Sequence, residues 1–72
     1  MNMMITDFVI ETRYSFEYRF PNSDNPDFWQ ANPYWWKYER AAASYARVWA
    51  NDMVEHGCVV ETRLVTRHRT GG

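Results

Sequence analysis

Asp52 and His56 stand four residues apart, the spacing that puts two side chains on one helix face and lets a carboxylate orient an imidazole as a general base. A histidine in the last turn of a helix is also what the helix dipole favours, and no nucleophile or oxyanion donor accompanies this pair. His56, Cys58 and His68 are metal-ligating types, but a zinc site takes three or four ligands at spacings these three do not match, and Cys58 reads instead as a small buried apolar residue. The chain has no glycine-rich phosphate loop, no CxxC, no HExxH and no nucleophile elbow, in keeping with only three glycines and one cysteine. The expectation is a protein that is not an enzyme, with no catalytic residue, no cofactor and no metal.

A second chemistry is stacking. Tyr14, Phe16, Tyr18 and Phe20 alternate along the chain as platforms for unpaired bases would, and Arg63, Arg67 and Arg69 could follow a phosphate backbone, so a small single-stranded nucleic-acid-binding protein is the alternative reading. Two facts weigh against it. Eight basic and nine acidic side chains leave a net charge of −1, whereas phosphate contacts supply most nonspecific affinity. The aromatic row is also the only sheet face on which a helix could pack.

The elements that must carry these residues follow from periodicity. Residues 4–20 alternate, with Tyr14, Phe16, Tyr18 and Phe20 on one face and Glu11, Arg13, Ser15, Glu17 and Arg19 on the other, which predicts strand. Seventeen extended residues would span about 56 Å, too long for a compact chain of 72 residues, so this region turns back as a hairpin, bends sharply or projects onto a partner. Residues 21–32 predict a loop with a short helical turn at Asn25-Pro26. Asn32-Pro33 predicts the start of a helix over 33–56, ended by Gly57. A last strand over 58–68 and a frayed tail over 69–72 complete one domain, 1–72. The fold class is α+β, a small β-β-α-β (or a β-α-β with one long bent N-terminal strand), with one long amphipathic helix on a mainly antiparallel sheet.

Val9-Ile10-Glu11-Thr12-Arg13 recurs as Val59-Val60-Glu61-Thr62-Arg63. Antiparallel pairing with Thr12 opposite Thr62 would set Glu11 against Arg63 and Arg13 against Glu61, whereas parallel pairing would set Glu beside Glu.

On the predicted helix the polar residues Lys37, Arg40, Ser44, Arg47, Asn51 and Glu55 occupy an arc of about 80° and the rest of the cylinder is mostly apolar. One sheet covers one side, so the excess predicts a second buried surface. Ala42, Ala46 and Ala50 would give a smooth strip for another helix in a homodimer. Trp29, Trp36, Arg40, Arg47 and Val54 are the predicted partner-binding residues, being of the types that dominate interfaces or lying on the secondary helix stripe. No apolar run reaches the length of a membrane span and the start carries no basic leader, so a soluble cytoplasmic protein with no membrane partner is expected. In size, aromatic content and arginine usage rather than in any motif, the chain resembles the small inhibitors carried by phages and other mobile elements, anti-CRISPR proteins among them. That resemblance implies a self-associating inhibitor or adaptor whose protein partner belongs to a host defence complex.

Overall fold

The structure, a computed structural model, describes residues 8–71. A strand β1 (Phe8–Arg19), a two-residue strand β2 (Gln30–Ala31), a helix α1 (Glu39–Glu55) and a strand β3 (Glu61–Gly71) follow one another, giving a β-β-α-β chain with a wholly antiparallel sheet ordered β2-β1-β3. The α+β expectation therefore holds, but the hairpin within residues 4–20 does not form. No turn-forming residue interrupts the alternation, and β1 runs unbroken from Phe8 to Arg19; its predicted start at Met4 lies outside the described residues. The length problem is resolved by shape. The molecule measures 60 × 25 × 13 Å with a radius of gyration of 16.6 Å, against about 11 Å for a compact chain of this size.

Strand alternation sorts the sheet into two faces. Tyr14, Phe16 and Tyr18 lie on the face toward α1, where Phe16 is 2% exposed and Trp49 of the helix meets the rings of Phe16, Tyr18 and Phe20 at 5.8, 4.7 and 6.4 Å. The helix approaches through its alanines. Ala42 is fully buried and Ala46 is 5% exposed, because a methyl group at each four-residue step lets the helix backbone settle onto the aromatic row. Ala42 and Ala46, two of the three alanines predicted for self-association, thus pack against the chain's own sheet, and Ala50 is half-buried on the groove between α1 and β3.

The pairing of β1 with β3 is antiparallel, but its register differs from the one predicted. Glu17 faces Arg63 and Arg19 faces Glu61, with Thr12 opposite His68 rather than Thr62. The displacement is six residues, an even number, so every side chain keeps its predicted face. The new register still satisfies charge: Arg63 reaches Glu17 at 2.6 Å and Arg19 reaches Glu61 at 2.6 Å. It also brings Arg69–Gly71 into the ladder opposite Glu11, Val9 and Phe8, so these residues are paired strand and not a frayed tail, while residues 58–60 serve as a link into β3.

The predicted helix start at Pro33 is displaced to Glu39. Trp36 exchanges two backbone hydrogen bonds with Tyr14 (N–H to O, 2.8 and 2.7 Å), which holds it extended as a sheet neighbour and delays the helix by a turn and a half. Trp36 therefore precedes the helix and is not part of its stripe. The helical turn expected at Asn25-Pro26 is a single tight turn, closed by the Phe28 N–H on the Asn25 carbonyl at 3.1 Å, and β2 follows it. At the other end Gly57 acts as predicted. Its φ of 84° allows its own N–H to reach the Val54 carbonyl and the Cys58 N–H to reach that of Met53, both at 2.9 Å. No helix of the described residues is long and apolar enough to cross a membrane.

Candidate functional site

Between the chain segment 32–36 and α1 lies an aromatic cleft of about 410 Å³, lined by Phe16, Asn32, Tyr34, Trp36, Tyr45 and Trp49. Its wall is built from the backbone outward. The Asn32 N–H donates to the Phe16 carbonyl at 3.2 Å and Trp36 pairs with Tyr14, so residues 33–35 must arch away from the strand over Ser15. Ser15 is fully buried and its hydroxyl donates to the Tyr34 carbonyl at 2.6 Å, with the Asn32 carbonyl at 3.3 Å. The Asn32 side-chain oxygen in turn accepts the Tyr34 N–H at 2.8 Å. A small, fully buried hydroxylated residue at the centre of β1 thus holds the arch through its two carbonyls and has its own polar group satisfied.

On that scaffold Trp36 stacks on Phe16 with ring centroids 6.0 Å apart and planes 20° apart, and meets Tyr34 at 4.7 Å and Tyr45 at 5.0 Å. The inner rings are core, while Tyr34 and Tyr45 at the rim are each 61% exposed. The arrangement offers flat apolar walls with few polar groups.

The opposite face is charged and largely self-satisfied. Trp29 lies between the guanidiniums of Arg19 and Arg63, at 4.6 and 4.2 Å, and Trp35 lies under Arg67 at 4.4 Å. Farther along the β1–β3 ladder, Glu11, Arg13, Arg67, His68 and Arg69 line a hollow of about 250 Å³.

The predicted partner-binding residues are therefore separated. Trp36 enters the cleft, Trp29 is engaged by two arginines of its own chain, and Arg40, Arg47 and Val54 are exposed on the helix. Of the alternative nucleic-acid contacts, Arg63 is bound to Glu17 and Trp29, Arg67 rests on Trp35, and Arg69 borders the 250 Å³ hollow. Asp52 and His56 are both exposed, 3.7 Å apart, with the His56 Nδ1 2.8 Å from the Asp52 carbonyl, a contact of the helix terminus. Among the described residues no three His, Cys, Asp or Glu side chains gather closely enough to hold a metal. Tyr34, Tyr45 and Ser15 are not among the predicted site residues, and Tyr45 has the periodicity of a core position although it is 61% exposed. The one signal for the arch is Asn32-Pro33 before the aromatic run Tyr34-Trp35-Trp36, which reads equally well as a helix start. No protein-family model, curated protein or solved structure matches this chain, so the geometry of the cleft and of the charged face carries the functional argument.

Proposed function

We propose that the chain is a non-enzymatic protein-binding module whose recognition surface is the aromatic cleft. The observation that carries this reading is the exposure of Tyr34 and Tyr45 around a half-buried Trp36. Rings of this kind, held rigidly by the fold and open to water on one side, are the side chains on which protein interfaces concentrate their binding energy. The nucleic-acid alternative has less support, because Phe16, Tyr18 and Phe20 are packed by Trp49 and two of the three candidate arginines are stacked within the chain.

Selection of displayed random peptides on the immobilised chain tests the reading. Peptides that bind should share apolar anchor residues, and Tyr45→Ala should weaken them by more than about tenfold while leaving the fold intact. Failure to recover any cleft-dependent peptide, together with saturable binding of a labelled single-stranded oligonucleotide that is lost in Arg67→Ala/Arg69→Ala, would replace this reading with the alternative.

A further inference from the structure

The outer edge of β3 is the longest unpaired edge among the described strands, and its backbone phase can be derived. On β1 the polar groups of Tyr14 and Phe16 point to the β2 side, since Tyr14 pairs with Trp36 and the Phe16 carbonyl accepts from Asn32. Alternation then turns the odd-numbered groups of β1 toward β3. Through pairs such as Ser15 with Val65 and Glu17 with Arg63, the odd-numbered groups of β3 are the ones that answer them. Those of Thr62, Leu64, Thr66 and His68 are left pointing outward.

We propose that this edge pairs with the same edge of a second copy, antiparallel about a twofold axis at Leu64. Charge selects both the occupant and the register. Centred on Leu64, each Glu61 faces an Arg67 of the other copy, Thr62 faces Thr66, Arg63 faces Val65 and Leu64 meets its own equivalent. Every other centre from Arg63 to Arg69 sets Arg against Arg, and a centre on Thr62 engages only Glu61–Arg63 of the strand. The outward groups coincide in this register, so Leu64 exchanges both hydrogen bonds with its equivalent.

Arg67 rests on Trp35 but has no counter-charge there. Within the chain it faces Arg13, a like charge, and it makes none of the ion pairs of the described residues. Glu61 gives one oxygen to Arg19 at 2.6 Å and retains a second for the neighbouring copy. Beside the edge, Ala43, Ala46, Arg47, Ala50, Asn51, Thr62, Arg63 and Leu64 border a groove of about 370 Å³. The twofold brings the two helices onto one sheet face with this groove between them. The groove thereby becomes the helix-helix seam. The edge is on the far side of the sheet from the cleft, so Tyr45→Ala should leave the dimer intact.

Sedimentation across micromolar concentrations provides the test. The wild-type chain should approach twice 8.7 kDa. Thr66→Pro removes an outward N–H without touching the β1 ladder and should give a folded monomer. Glu61→Arg and Arg67→Glu should each weaken the dimer by roughly tenfold or more, because each homodimer sets like charges together twice. Mixing those two variants restores both oppositely charged pairs and should restore the dimer. A wild-type monomer throughout the range, a Thr66→Pro protein that still dimerises, or a mixture that stays monomeric would each overturn the proposal.

Discussion

Ser15 shows how one small residue decides a site. A larger side chain at this position would collide with the arch of residues 33–35, and a residue without a hydroxyl would leave the Tyr34 carbonyl without its donor at 2.6 Å. Ser15→Ala should therefore destabilise the fold by about 1–3 kcal/mol, read as a shift in the urea midpoint at unchanged slope. A midpoint equal to wild type would mean that the hydroxyl does not hold the arch. The same scale explains the spread of the tryptophans. Trp29 and Trp35 are drawn to guanidiniums on the charged face, while Trp36, one position from Trp35 on an extended segment, turns to the opposite face and its aromatic neighbours. Neither outcome could be read from the residue type. It depends on which backbone groups of 32–36 pair with β1.

At the scale of elements, the register of β1 on β3 makes a sharp prediction. Reversing Arg63 to Glu should cost a few tenths to about 1 kcal/mol, and adding Glu17→Arg should recover part of that cost, whereas adding Glu11→Arg should recover none. Coupling to Glu11 instead of Glu17 in such a double-mutant cycle would restore the register inferred from the internal echo. That echo was informative about direction and face but not about alignment. Two Glu-x-Arg segments can satisfy charge at more than one even displacement, and the six-residue shift places Phe16 opposite Leu64 beneath the helix and gains pairing for Arg69–Gly71. The strand of β1, the helix body and its stop at Gly57 were legible because each rests on local signals: alternation, 3.6-residue periodicity and a positive φ. The helix start was not, since Asn32-Pro33 has the local chemistry of a cap and only the long-range bonds of Trp36 to Tyr14 override it. The cleft went unread for the same reason, as its wall is the segment taken for helix.

On the scale of the whole molecule the fold is lopsided, with a helix over one end of the sheet and a two-stranded ribbon projecting from the other. The ring contacts of α1 reach Phe16, Tyr18 and Phe20 directly and Tyr14 only by way of Trp36, whose backbone pairs with it. Thr66, Arg67, His68, Arg69 and Thr70 are all exposed. A two-stranded ribbon beyond the reach of the helix rings is marginal by itself, so its hydrogen bonds should open locally at a cost well below that of global unfolding. The amides of Arg63, Val65 and Arg67 all point into the regular part of the ladder with β1, so that distance from the helix is the difference between them, while Arg69 faces Glu11 beside the register irregularity between Val9 and Glu11. Native-state hydrogen exchange should accordingly fall into a gradient, with Val65 protected at least about tenfold more than Arg69 and Arg67 between them. Pairing of the outer edge spans Glu61 to Arg67 and would raise protection of the even-numbered amides Leu64 and Thr66 with concentration while leaving Arg69 fast. Uniform protection along β3 at low concentration would show that the ribbon opens only with the core, and that the helix is not what anchors this sheet.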